Sequence, residues 1–289
     1  MRSLTVGTDP AAAGKERWYS DWQNDEHASH FDGRSSLLNR MLVRNYESFN
    51  DVRLLNDYLV RSRPTHLLEV GCATGEFYRY MRLKHPRPSY TGIDISLAAL
   101  ERARQKYPAG HFFASDPAMS LEENLGRQRL PTRWEIVYTK DVLHHQTDPF
   151  SFLAQLLGVS LRLLVLRTRT RDRGPTVLDP ESSCQYHYRG WMPYIVFNIE
   201  ELIDQIRRRI PDCEVILYRN HMVLGGVGNR FLPKECYLPE TGTAETAVGV
   251  FLESDHRQRV QVIDREERSA HHPIGERILH RLLGMLRWR

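Results

Sequence analysis

Long apolar runs are missing from this chain. A membrane-spanning helix needs roughly 20 consecutive apolar residues, and the longest candidate, around Phe152–Leu166, is broken by Gly158 and Arg162. The N-terminal MRSLTVGTDPAAAGKERW has none of the apolar character of a secretory signal. Cysteine is sparse and scattered. Cys72, Cys184, Cys213 and Cys236 form no CxxC pair and no metal-ligand spacing, which argues against a disulfide scaffold and against a zinc site. The expectation is a soluble protein in a reducing, cytoplasmic setting, with no metal. An excess of one charge is lacking too, since 40 basic residues face 36 acidic ones for a net +4. That is too small for an electrostatic nucleic-acid footprint. Lysine is nearly absent: five lysines leave 35 arginines. What the chain does have is 41% hydrophobic and 26% charged residues over 289 positions, enough to bury a core and unlike a disordered composition.

The order of elements points to an α/β fold. Apolar residues recur at helical spacing between Ser36 and about Ser62 (Leu37, Leu38, Met41, Leu42, Leu54, Leu55, Tyr58, Leu59), and Pro64 ends the pattern. Strands and helices then alternate. Thr65–Val70, Tyr90–Ile95, His111–Ala114, Glu135–Thr139 and Leu161–Arg167 read as five strands. Helices are expected over Glu76–Lys84, Leu97–Tyr107 and Phe150–Leu157. Asn198 with Glu201 predicts a cap and capping box for a helix to about Arg209. Cys213–Tyr218 and Ala247–Leu252 supply two more strands. Such repetition predicts an open, mostly parallel sheet covered on both faces.

The segment HLLEVGCATGEF, residues 66–77, carries the chemistry. A buried strand ends in an acid, and a glycine turn then opens a helix. Gly71 and Gly75 let backbone approach a ligand where a Cβ would clash, in the crevice at the carboxyl ends of the strands. Asp94 ends the second strand, placed to chelate ribose hydroxyls. Asp116 follows the third strand, where an adenine edge could be read, and the fourth strand runs into KDVLHH. A dinucleotide is disfavoured, because Gly71–Gly75 lacks the GxGxxG spacing that seats a pyrophosphate.

These four ordered motifs, over roughly Leu67–Leu166, resemble those of the class I S-adenosylmethionine-dependent methyltransferases. The resemblance implies a seven-stranded, mainly parallel Rossmann-like sheet with N-terminal helices and a lid inserted after the fifth strand. It implies S-adenosylmethionine as cofactor, with Glu69, Gly71, Cys72 and Gly75 around its methionine part. Asp94 would hold the ribose, Ile95 would pack on the adenine, and Ser115 and Asp116 would face its edge. Thr139 and Lys140 would sit beside the methionine moiety. Ala73 stands where the family most often has glycine. Lys140 is unusual beside a sulfonium, and its ammonium is expected to meet the cofactor carboxylate or to point into solvent.

A sulfonium is a good leaving group, so the protein must mainly align the reactants and exclude water. A hydroxyl acceptor also needs a base. His144 and His145, just past the fourth strand, are the candidates; the alternative is that one of them packs structurally or caps a helix. Acceptor recognition is assigned to the connection Thr168–Phe197 through Tyr186, His187, Arg189 and Trp191, because arginines with aromatic rings suit an anionic planar or glycosylated acceptor. The competing reading is a satellite core with solvated arginines. Trp18, Tyr19 and Trp22 are read as a cover over the cofactor or as packing against the sheet edge.

Residues 1–63 are accordingly read as an N-terminal helical cover, 64–254 as the methyltransferase domain with its lid at 168–197, and 255–289 as a C-terminal extension. In that extension Ile274, Ile278, Leu282 and Met285 form an apolar stripe beside several arginines. Such a helix suits peripheral membrane contact, self-association or docking on its own domain. The activity expected is methyl transfer to a small-molecule or glycan-type acceptor, at oxygen. The alternative is a catalytically silent cofactor-binding scaffold or regulatory module. A nucleic-acid methyltransferase is disfavoured by the charge and by the lack of an acidic-proline-proline-aromatic tetrapeptide after the fourth strand.

Overall fold

Period-two alternation along the central strands builds two cores at once. Leu67 faces one side of the sheet and Leu68 the other, and the same division separates Ile136 from Val137 and Val165 from Leu166. A strand buried on both faces must be covered on both. The computed structural model describes residues 46–187, 190–222, 224, 230–255 and 258–264. The aromatic cluster Trp18, Tyr19 and Trp22, the start of the Ser36–Ser62 stripe and the amphipathic segment from Ile274 lie outside the described residues.

The strands are β1 (His66–Val70), β2 (Ser89–Asp94), β3 (His111–Ala114), β4 (Trp134–Lys140), β5 (Ser160–Arg171), β6 (Cys184–His187), β7 (Gly190–Pro193), β8 (Phe197–Asn198), β9 (Glu214–His221), β10 (Arg230–Phe231), β11 (Ala244–Phe251) and β12 (Val260–Asp264). The main sheet runs β12-β9-β11-β5-β4-β1-β2-β3, with β8 paired beside β5. All its pairings are parallel except those of β11, which lies antiparallel between β5 and β9. The seven expected strands are thus present in a Rossmann-like sheet, and β8 and β12 extend it. Strand order reverses between β1 and β4, which opens the crevice where such sheets bind ligands.

Helices α1 (Asn50–Ser62), α2 (Glu76–Lys84) and α3 (Leu97–Lys106) cover one face; α4 (Leu121–Arg127), α5 (Pro149–Val159) and α6 (Ile199–Arg209) cover the other. Helix α4 was not expected, yet its signal is local. Ser120 accepts from the Glu123 amide, and Glu123 accepts from the Ser120 amide, completing a capping box. At α6 only half of the expectation holds. Asn198 Oδ1 accepts from the amides of Glu200 and Glu201 at 3.0 and 3.1 Å, but the Glu201 carboxylate turns to the Thr176 amide instead.

The connection after β5 begins later than expected. Thr168–Arg171 continue the strand, pairing with Ala244–Thr246 and, beyond them, with β8. The alternating RTRTR sequence is tolerated there because Arg167 and Arg169 meet the acids described below, and Arg171 donates to Cys236 Sγ at 3.6 Å. Past Arg171 the connection folds into the β6–β7 hairpin, which β10 joins as a three-stranded sheet. Among the described residues no helix is long and apolar enough to cross a membrane.

Candidate active site

A cavity of about 680 Å³ opens at the carboxyl ends of β1, β2, β3 and β4. Its floor is the turn after β1. Gly71 (φ 84°) and Gly75 (φ 78°) are both left-handed. A Cβ on Gly71 would run into the Val142 side chain, and one on Gly75 would come within 2.8 Å of Phe112 Cζ. Ala73 also adopts φ 45°, where glycine would be unstrained. The Asp94 carboxylate holds this turn, accepting from the Ala73 amide with one oxygen and from the Ser96 amide with the other, both at 2.8 Å. Burial pushes the Asp94 carboxyl up, and these backbone donors oppose the shift.

Of the cofactor residues expected from sequence, Glu69, Gly71, Cys72, Asp94, Ile95, Ser115, Asp116 and Lys140 line this one cavity. Gly75 lies behind it at the start of α2, and Thr139 is buried beneath it. Glu69 is buried, receives the Tyr90 hydroxyl, and is pushed up to about 8 by desolvation. The hydroxyl of Thr74, also in the lining, is buried without a hydrogen-bond partner among the described residues. Buried hydroxyls are nearly always satisfied, so this one suits a polar ligand atom. An acid at the end of each of two strands, a cradle a Cβ would fill and an orphaned hydroxyl fit an adenosine bearing an amino-acid tail.

The two histidines part company. His145 lines the cavity, and its Nδ1 donates to the Pro193 carbonyl at 2.7 Å. That bond leaves Nε2 as the lone-pair nitrogen. Burial lowers its pKa to about 4, so the ring is neutral at physiological pH. His144 is buried outside the lining with Nδ1 3.5 Å from Thr168 Oγ1, and burial holds its pKa well below the usual histidine range. Tyr194 packs edge-on to both rings.

Tyr186 and Trp191 do not reach the cavity lining. They face each other across the β6–β7 hairpin, ring centroids 5.3 Å apart, and Trp191 packs on Phe231 at 5.1 Å. Cross-strand aromatic pairing uses these rings within the hairpin itself. Arg189 and the side chain of His187 lie outside the described residues. The hairpin instead touches the site through the Pro193 backbone.

Several lining residues were not singled out in the sequence: Tyr46, Phe49, Met119, Asp141, Phe152, Gln155 and Arg167. Tyr46 and Phe49 precede α1 and are not among the residues of the apolar stripe, and nothing in their spacing reveals that they fold over the end of β4. Lys140 stands half-buried beneath them. Its Nζ is 4.1 Å from the Phe49 ring centroid and 5.2 Å from that of Tyr46, rather than in solvent. Asp141 (φ 58°) pairs with Arg167, and with Arg169 at 3.1 Å. Burial alone would raise its pKa, but the two guanidiniums pull it well below the usual carboxylate range.

A family model described as a methyltransferase domain matches residues 68–159, from β1 to the end of α5. This is a class I S-adenosylmethionine-dependent methyltransferase domain. The chain is 33% identical over 78 residues to a trans-aconitate 2-methyltransferase of Paracidovorax citrulli, covering 25% of this chain and 30% of that protein. A second protein of that name, from Rhodopseudomonas palustris, is 23% identical over 139 residues, 48% of this chain and 46% of its own length. The chain thus spans less than half the length of these curated relatives. Among solved structures, the N-terminal domain of EvdMO1 with SAH and D-fucose is 18% identical with a TM-score of 0.49, covering 70% of this chain and 82% of that one.

Proposed function

We propose that the chain transfers the methyl group of S-adenosylmethionine to a hydroxyl or carboxylate oxygen of a small-molecule acceptor. The observation that carries this reading is one cavity lined by the glycine turn, Asp94, Asp116 and a neutral histidine. The two relatives are named for methylating trans-aconitate, a small organic acid, which supports a small acceptor over a macromolecule.

Bound S-adenosylmethionine supplies a methyl group on a sulfonium that needs no further activation. Asp94 offers its remaining lone pairs to the ribose hydroxyls, and Asp116 stands near the expected adenine position. Glu69 and the Thr74 hydroxyl offer acceptors at the methionine end. Phe49 and Tyr46 wall the end of β4 and exclude water there. His145 Nε2 would take the proton of a hydroxyl acceptor as its oxygen bonds the methyl carbon and the carbon–sulfur bond breaks, the electron pair leaving on the sulfur of S-adenosylhomocysteine. A carboxylate acceptor needs no such proton transfer. His144, outside the lining, positions its neighbour.

Calorimetry with S-adenosylhomocysteine tests the cofactor half directly. Methyl transfer from labelled S-adenosylmethionine to trans-aconitate and to simple hydroxy acids tests the acceptor half. Saturable binding with transfer to oxygen is expected, and absence of binding by the folded chain would overturn the reading.

A further inference from the structure

Lys140 lies in the cavity lining beside a dense group of charges. Arg167 meets Asp141, Glu245 at 3.4 Å and Asp51 at 3.9 Å, and Arg169 meets Asp141 at 3.1 Å and Glu245 at 3.3 Å. Every carboxylate of that group therefore already has a guanidinium. Lys140 does not share in the pairing. Among the described residues no carboxylate oxygen lies within 4.0 Å of its Nζ, and its neighbours are the faces of Phe49 and Tyr46. An ammonium has three N–H donors, and a ring face attracts the charge without giving those donors an oxygen. Burial and the nearby Arg167 lower the lysine's hold on its proton, so an anion arriving at Nζ would restore the charged form.

We propose that Lys140 is the carboxylate-binding subsite of this cavity, taking a carboxylate of the acceptor or that of the cofactor's methionine end. This rests on the methyltransferase reading and names the chemistry one end of the site selects. A carboxylate fits better than a phosphate. Glu69, Glu76, Asp94, Asp116 and Asp148 also line the cavity, and Arg167 there is already paired with carboxylates. The ammonium therefore suits one singly charged carboxylate group better than a doubly charged phosphoryl group.

The test is calorimetry on the full chain as wild type, Lys140→Met and Lys140→Arg. The probes are S-adenosylhomocysteine, its carboxamide and, with S-adenosylhomocysteine saturating, trans-aconitate and its trimethyl ester. Charge-assisted hydrogen bonds of this kind correspond to about 10–100-fold in affinity. Lys140→Met is expected to lose that much for a carboxylate probe and nothing for its uncharged partner, while Lys140→Arg retains most of the affinity. Loss confined to S-adenosylhomocysteine assigns the cofactor carboxylate, and loss confined to trans-aconitate assigns the acceptor. If Lys140→Met binds every carboxylate probe as the wild type does, the subsite is overturned and the methyltransferase reading stands. If the wild type does not bind S-adenosylhomocysteine, both fall. Should Lys140→Met fail to fold, a wild type that binds acid and uncharged probes equally well overturns the proposal.

Discussion

Pro193 in β7 accepts the Nδ1 proton of His145 at 2.7 Å, so the hairpin inserted after β5 decides which nitrogen of a cavity-lining ring carries the lone pair. The Ile195 amide reinforces the arrangement by donating to the His144 carbonyl at 2.9 Å. The insertion therefore bears on the chemistry through its backbone and through Tyr194, which packs on both histidine rings, while Tyr186 and Trp191 pack on one another.

With a hydroxyl acceptor, replacing His145 with glutamine should slow single-turnover methyl transfer while leaving S-adenosylhomocysteine affinity nearly unchanged. General bases contribute about 10²–10⁴-fold. The lower end is expected here, because a base with a pKa of about 4 lies well below the working pH. For the same reason the wild-type rate should show no histidine titration between about pH 5 and 7. A limb near 6.5 that glutamine removes would sink the assigned environment.

Glu69 links the site to stability. Its folded pKa of about 8 lies above the ordinary carboxylate value of 4.5, so between those values the folded state holds a proton that the unfolded chain has released. The stability contributed is fully present below pH 4.5 and is lost as pH rises through about 8. His145 acts oppositely, but only between its folded pKa of about 4 and the ordinary 6.5. The ligand-free protein should therefore melt at progressively lower temperature from about pH 6.5 to 8.5, and Glu69→Gln should flatten that slope. A slope identical in the two proteins would refute the protonated Glu69.

The parts of this site legible in the sequence were those fixed by backbone and strand order. Gly71, Asp94 and Asp116 each follow a buried strand at short range, so strand periodicity places them at one sheet edge before any contact is known. The acceptor end depends on contacts far apart in sequence. Tyr46 and Phe49 reach Lys140 across more than ninety residues, and nothing local in NYESF marks them as cavity walls. The end of β5, Thr168–Arg171, reads as connection because strand interiors rarely hold so many charges. The acids that pair with Arg167 and Arg169, namely Asp51, Asp141 and Glu245, come from three distant segments. Tyr186 and Trp191 were drawn to the site by residue type alone, and the hairpin register gave each ring the other as its neighbour.

Asp94 carries two roles that a pair of substitutions separates. Asp94→Ala removes the acceptor for the Ala73 and Ser96 amides, which should cost about 1–3 kcal/mol of stability, and it also removes the proposed ribose partner. Asp94→Asn keeps one carbonyl oxygen and should recover part of the stability but little of the S-adenosylhomocysteine affinity, since an amide cannot accept from both ribose hydroxyls and both backbone donors. Urea denaturation and calorimetry on both variants check this. If both bind S-adenosylhomocysteine as tightly as wild type, Asp94 serves the turn alone.

The glycine turn should respond in opposite directions at two positions two residues apart. Gly71 is left-handed and a Cβ there would meet Val142, so Gly71→Ala should destabilise the domain and abolish S-adenosylhomocysteine binding by pushing the turn off its path. Ala73 is left-handed as well, at φ 45°, and already carries the Cβ penalty of about 1–2 kcal/mol. Ala73→Gly relieves that strain, while the added freedom of the unfolded chain takes back about 0.4–1 kcal/mol. The expected net is a gain of between about 0 and 1.6 kcal/mol in urea denaturation. Cofactor affinity should be unchanged, because the residue 73 amide still donates to Asp94. A clear loss of stability in Ala73→Gly would mean that the alanine methyl makes a packing contact worth more than the strain it causes.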